Sequence, residues 1–209
     1  IVPVEDFYKK SDLGSVRISP SGKYLSTKIT LDKTSAVVIT ERATNKTTHI
    51  QYFGEDSFVG GYYWLSDERI GFSLRKKGAA YAQPFYMGQM EAVNADGSQK
   101  KMIIGSANVR RASRVVRNDV GRTAFSVISR YKEDKDHILV GMYEKDYPSL
   151  YKVNIHTGKK SKVATSPAMN GGITLDINNE FRLSVGENTK NQRTVYYRDS
   201  LDSEWELHG

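Results

Sequence analysis

The chain has 209 residues, of which 38% are hydrophobic and 26% charged, with 17 glycines and no cysteine. This composition suits a folded globular chain and excludes wholesale disorder. The missing cysteines exclude disulfides, thiol catalysis and cysteine-ligated zinc, and no apolar run approaches the roughly 18 residues of a spanning helix.

Basic residues number 31 against 24 acidic ones, for a net charge of +7. They are spread along the chain, with local clusters at Arg110, Arg111, Arg114 and Arg117 and at Lys159, Lys160 and Lys162. A nucleic-acid binder gathers its charge on one face and interleaves aromatics within it. The expectation is instead of solvated strand edges and loops, with no nucleic-acid partner.

The chain opens at Ile1 rather than Met, which leaves room for a processed upstream segment. Pro3 to Lys10 could form one helical turn, with Pro3 at its start and Glu5 and Asp6 in the first turn. After it, alternating apolar strands repeat behind turns of small or polar residues, at Ile18–Ile29, Trp64–Leu74, Val116–Ile128 and Leu175–Val185. Equating Tyr24, Ile70, Thr123 and Phe181 gives steps of 46, 53 and 58 residues.

Each turn and strand is followed by a strand–turn–strand segment, at Val37–Ile50, Met90–Ile103, Leu150–Val163 and Thr194–Leu207. Asp96-Gly97 and Thr157-Gly158 mark two of the tips, where glycine supplies the positive backbone angle of a tight hairpin. Four short strands per unit of about 50 residues make one propeller blade, and a blade must stack on neighbours to bury its faces.

The predicted fold is therefore all-β. It is a β-propeller of about four blades of four-stranded antiparallel sheet, read as an incomplete arc of a larger, seven- or eight-bladed ring. A single propeller region spans 1–209, with a leader at 1–13 and blades at about 14–53, 58–105, 109–165 and 170–209. Open blade edges make self-association possible.

The opening Val2-Pro-Val-Glu-Asp-Phe-Tyr8, followed by Val16-Arg-Ile-Ser-Pro-Ser-Gly-Lys-Tyr-Leu25, resembles the amino-terminal propeller of prolyl oligopeptidase family serine peptidases. The bacterial dipeptidyl aminopeptidase and acylaminoacyl peptidase relatives are the nearest in pattern. They carry a P-x-E-D-F leader before a first blade with S-P-D-G-K-Y-L-A. Ser21 stands here where that phrase has Asp, and Ser26 where it often has Ala. The match is specific over about the first 30 residues, and TolB-like propellers share the S-P-x-G-K phrase.

The resemblance implies a propeller that covers an α/β-hydrolase domain, filtering peptides by size before a Ser-Asp-His triad cleaves them. No Gly-x-Ser-x-Gly elbow occurs in these 209 residues, so the catalytic domain would lie elsewhere in the native chain and this region alone would be inactive. The reading that follows is a non-catalytic region that gates and positions short peptides, in a periplasmic or secreted setting. The alternative is a stand-alone TolB-like scaffold that binds a protein or peptide.

Neither reading calls for a catalytic residue, a cofactor or a metal ligand in this chain. Ser57, in Gly54-Glu-Asp-Ser-Phe-Val-Gly-Gly61, lacks the glycine that an oxyanion hole needs after the nucleophile. His49, His137, His156 and His208 are not at metal-ligand spacing. Asp134 and Asp136 lack the calcium-loop pattern. Asn45-Lys46-Thr47 is a glycosylation sequon at a hairpin tip. Tyr62, Tyr63, Trp64, Tyr81, Phe85 and Tyr86 flank a long loop from Lys76 to Tyr86, and aromatics with Gly and Gln could line a peptide-binding rim, with ligand contact expected over Lys76 to Gly88.

Overall fold

The computed structural model describes residues 13–78, 83–105, 124–130, 134–143 and 146–208. The leader up to residue 12, the Arg110–Arg117 cluster, Thr123 and Tyr81 lie outside these residues. The described residues form sixteen strands and no helix.

The strands make four sheets of four, and every pairing with a resolved register is antiparallel. The first holds β1 (Leu13–Ile18), β2 (Tyr24–Leu31), β3 (Thr34–Glu41) and β4 (Lys46–Tyr52), and the second β5 (Ser57–Trp64), β6 (Arg69–Lys76), β7 (Phe85–Asn94) and β8 (Lys101–Ile104). The third holds β9 (Ala124–Arg130), β10 (His137–Tyr143), β11 (Ser149–Asn154) and β12 (Lys160–Thr165). The fourth holds β13 (Thr174–Leu175), β14 (Phe181–Glu187), β15 (Arg193–Tyr197) and β16 (Glu206–Leu207). In each sheet the strands lie side by side in chain order, which is the meander of a propeller blade.

Local chemistry explains the turns. Between β1 and β2, Ser19 Oγ accepts the Tyr24 amide at 3.0 Å, and the Gly22 amide, at φ 76°, donates to the Ser19 carbonyl at 2.9 Å. Between β7 and β8, Asp96 Oδ1 accepts the Ser98 amide at 2.9 Å while Gly97 takes φ 85°. A left-handed backbone of this kind is strained for any residue with a Cβ. Gly158 plays the same part between β11 and β12, at φ 75°.

One backbone bond recurs and sets the register of the repeat. The residue after β3, Arg42, donates to Lys23 at 2.9 Å; Ala95 donates to Glu68 at 2.8 Å; Ile155 donates to Asp136 at 2.9 Å. The acceptor in each case immediately precedes the second strand of its sheet. Tyr24, Arg69, His137 and Phe181 thus open the four second strands, at steps of 45, 68 and 44 residues. This corrects the register read from sequence for the third repeat. The alternating run at Ala124–Ile128 forms β9, the first strand of its sheet, and the second strand begins behind the Asp134–Asp136 turn.

The chain divides into two compact units, Ile1–Met87 with Glu91–Lys100, and Gly88–Met90 with Lys101–Gly209. In the first unit, Tyr24, Val37 and Ile39 of the first sheet pack on Val59, Tyr62, Trp64, Ile70 and Phe72 of the second. Burying each of these large apolar side chains contributes about 1.5–3 kcal/mol, so this interface dominates the unit's stability. In the second unit, Leu139 and Leu150 meet Phe181, flanked by Ile128, Ile173 and Trp205. Gly141 permits that approach, since a Cβ there would lie 2.9 Å from Ile128 Cδ1 and 3.1 Å from Ile173 Cδ1.

Candidate functional site

The aromatic group read as a possible rim divides between the buried Tyr62 and Trp64 and the half-buried Tyr63, Phe85 and Tyr86. Trp64 stacks on Tyr24 with ring centroids 5.9 Å apart, and its Nε1 donates to the buried Ser26 Oγ at 2.9 Å. Tyr62 is buried beside it, donating its hydroxyl to the Ser15 carbonyl at 2.5 Å. Both are packing residues between blades. Tyr63 is half-buried, with the Arg17 guanidinium 5.4 Å from its ring centroid and 5.2 Å from that of Tyr62. The loop is shorter than the sequence suggested, because Phe85 to Gly88 belong to strand β7.

Each histidine sits in a side-chain pairing of its own. His49 Nε2 lies 3.2 Å from Gln51 Oε1 on β4, and His208 Nε2 lies 3.7 Å from Glu206. His156, at the β11–β12 tip, approaches Asp136 at 3.3 Å. His137 Nδ1 meets Asp134 Oδ1 at 2.9 Å. Among the described residues, no group of three or more His, Asp or Glu is placed to hold a metal ion. Ser57 opens β5, and its hydroxyl donates to the Glu55 carbonyl at 3.3 Å. That geometry is a turn bond and not the start of a proton relay.

A cluster of charged groups lies at one end of the third sheet. Asp134 accepts Lys152 Nζ at 2.7 Å on one oxygen and the His137 ring on the other, and its oxygen also takes the Asp136 amide at 3.1 Å. The Lys152 ammonium first, and the His137 ring second, hold the Asp134 carboxyl down to about 2. Hydrogen bonds and a cation both favour the charged carboxylate, so the turn is locked in its ionised form. This cluster fixes the β9–β10 turn to β11.

In the fourth sheet Arg182 plays the corresponding part. It donates Nη2 to the Tyr197 hydroxyl at 2.8 Å, Nε to the Arg198 carbonyl at 2.7 Å and Nη1 to Asp176 at 3.2 Å. The lysine cluster is a strand face: Lys160 and Lys162 stand 5.0 and 6.0 Å from the Tyr151 ring centroid, an arrangement that favours cations over an aromatic face.

Two buried arginines escaped the sequence reading. Arg69 is 1% exposed, with Nη1 donating to Asn94 Oδ1 at 2.7 Å and Nη2 to the Gln99 carbonyl at 3.0 Å. It ties the β5–β6 turn to the β7–β8 tip, and burial pulls its pKa below the usual arginine value. Arg198 lies 4.3 Å from the Trp205 ring centroid, with Nε on the Phe181 carbonyl at 2.8 Å and Nη1 on that of Leu201 at 2.9 Å. Arg69 opens β6 and Arg198 follows β15, and the partners that hold them come from distant turns, so spacing alone does not mark them. What these groups do chemically is brace turns.

No family model matches the chain, and no curated protein matches it. Solved structures do. The acylaminoacyl peptidase of Pyrococcus horikoshii is similar at TM-score 0.54 and 13% identity, over 95% of this chain and 32% of its own. Dipeptidyl peptidase 4 of Porphyromonas gingivalis is similar at 0.56 and 10%, over 95% of this chain and 33% of its own. TolB of Acinetobacter baumannii is similar at 0.51 and 13%, over 93% of this chain and 43% of its own. An oligogalacturonate lyase shares the fold as well, so the fold alone does not choose a chemistry. The chain spans less than half the length of TolB and about a third of each peptidase. Its four antiparallel sheets are propeller blades, of the kind that propeller-bearing peptidases and TolB share.

Proposed function

We propose that this chain is a non-catalytic propeller region of a serine peptidase, which gates and positions short peptides for an α/β-hydrolase domain in the same native polypeptide. The observation that carries this reading is the conjunction of blade architecture with the Pro3-Val-Glu-Asp-Phe7 leader and the Ser19-Pro-Ser-Gly-Lys23 turn. Similarity to the propeller-bearing peptidases over 95% of the chain supports it. In this arrangement the triad serine attacks the peptide carbonyl on the separate domain, and the propeller decides which peptides arrive. A periplasmic or secreted setting goes with the reading.

Similarity to TolB favours a second reading, a propeller scaffold that binds a protein or peptide. The two separate on the native gene product, captured with an antibody to this chain and treated with a fluorophosphonate serine probe. The peptidase reading requires a labelled species several times larger than 23.5 kDa. An unlabelled product refutes it and leaves the scaffold.

A further inference from the structure

Alternation carries a lysine into the seam between the first two sheets. Tyr24, Ser26 and Lys28 share one face of β2, and the first two meet Trp64 of the second sheet. Lys28, one step further along, reaches the same sheet with an ammonium, whose Nζ donates to the Val59 carbonyl at 2.8 Å. The strand it meets is irregular there. Val59 pairs with Leu74 and Gly61 with Ser73, which makes Gly60 the extra residue of a β-bulge.

Polar groups converge on this bulge. A Cβ on Gly60 would lie 3.0 Å from Ser73 Oγ and 3.2 Å from Arg75 Nε, and one on Gly61 would lie 3.3 Å from the Tyr63 hydroxyl. Ser73 Oγ is spent on the backbone, accepting the Gly61 amide at 2.7 Å and donating to the Gly61 carbonyl at 3.1 Å. Among the described residues, the Arg75 guanidinium and the Tyr63 hydroxyl donate to nothing, and Lys28 donates only to the Val59 carbonyl. Arg17 adds a third cation, 5.4 Å from the Tyr63 ring centroid.

The charges here are of one sign. Burial first, and the Arg75 guanidinium second, pull the Lys28 pKa below the ordinary lysine value. Other cations of the chain meet a carboxylate: Lys23 meets Glu68, Lys100 meets Glu91 and Lys152 meets Asp134. At the bulge, among the described residues, no carboxylate pairs with Arg17, Lys28 or Arg75. Cations brought together around a backbone stripped of side chains are relieved by an anion that settles among them.

We propose that the Gly60–Gly61 bulge, with Lys28, Arg75 and Tyr63, binds a carboxylate group of a ligand. A guanidinium takes both oxygens of a carboxylate through parallel N–H bonds. The ammonium and the phenol supply further single donors, and the two glycines leave the backbone open to close approach. A scaffold has as much use for such a site as a peptidase, so this assignment and the peptidase reading can each fail alone.

The test is ligand protection in the protein as its gene expresses it. Lys28 is labelled with an amine-reactive ester and Arg75 with phenylglyoxal, and modification is followed peptide by peptide. The exposed Arg42 and Lys46 serve as controls. The probes are acetylalanine, which carries a main-chain carboxylate, acetylaspartic acid amide, which carries a side-chain one, and acetylalanine amide, which carries none. One or both carboxylates should slow labelling of Lys28 and Arg75 and leave the controls unchanged, and the better protector identifies the source of the carboxylate. Lys28→Met and Arg75→Met should each weaken its binding, measured by calorimetry, on the order of tenfold or more, the loss of a charge-assisted bond. Arg75→Met should leave the urea midpoint of the unliganded protein unchanged. No protection by either carboxylate overturns the proposal, as does equal protection by the amide or stronger protection by inorganic phosphate. So does a lower midpoint for Arg75→Met, which would assign that guanidinium to a carboxylate of the chain itself.

Discussion

Replacing Ser26 by Ala removes a buried polar bond from the first inter-blade core. Ser26 is 0% and Trp64 3% exposed, and the Ser26 hydroxyl both accepts Trp64 Nε1 at 2.9 Å and donates to the Arg17 carbonyl at 3.2 Å. Ser26→Ala removes that acceptor from the buried indole N–H, at a cost of about 2 kcal/mol for the lost bond and a small void. Trp64→Phe removes the donor and part of the ring that stacks on Tyr24, and should also cost about 2 kcal/mol. The double variant should be less damaging than the two losses combined, by about 1 kcal/mol, because the second change finds no bond left to break. Urea unfolding followed by far-ultraviolet circular dichroism measures all three, each single variant lowering the midpoint by about 1 M. A Ser26→Ala midpoint equal to wild type, or strictly additive losses, would refute the assignment of Trp64 to the core and return it to the surface rim.

Three further predictions follow from single sites. Asp134, with its folded pKa held at about 2, below the ordinary aspartate value of about 3.9, stabilises the third sheet above about pH 4, and that contribution disappears as the pH falls through 2. With solvent screening at this partly exposed turn, Asp134→Asn should cost about 1 kcal/mol at pH 7 and nothing at pH 2, measured by urea unfolding at both. Gly158→Ala should cost more than 1 kcal/mol, since the residue sits at φ 75° and a Cβ would lie 2.9 Å from the Ile103 carbonyl oxygen. A thermal melt unchanged by this substitution would contradict the tip geometry. Arg69→Met should destabilise by about 2–4 kcal/mol by releasing Asn94 and the Gln99 carbonyl, and hydrogen exchange should speed up at the 94–99 tip before other parts of the sheet.

The strands were legible because propeller sheets alternate side chains strictly and punctuate with glycine. Val37 and Ile39 point one way and Val38 the other, and Gly97 and Gly158 fall at the tips where positive φ is needed. The third repeat was misregistered because Ala124–Arg130 and His137–Tyr143 both form strands, and alternation says nothing of a strand's place in its sheet. The backbone bond from Ile155 to Asp136 decides it, and that bond exists only after folding.

The same limit hid the side-chain braces. Asp134 and Lys152 are eighteen positions apart and meet because β10 pairs with β11, His137 opposite Asn154. Arg69 and Arg198 read as solvated charges because most arginines are, and their burial depends on partners supplied by distant turns. Of the aromatics, Trp64 and Tyr62 could be assigned to packing from their spacing, i and i+2 on one strand face. Function was less legible, since blade geometry constrains packing while specificity resides in blade-end loops that vary freely.

The most direct test of the proposed gating role is a comparison of kcat/KM on the native protein that carries this region, between a short peptide and the same cleavage sequence set within a long unfolded polypeptide. A propeller that filters entry predicts efficient cleavage of the short peptide and a loss of on the order of a hundredfold or more for the long one, about 3 kcal/mol of discrimination. Equal kcat/KM for the two would contradict the account, leaving these blades as a scaffold with no part in substrate selection.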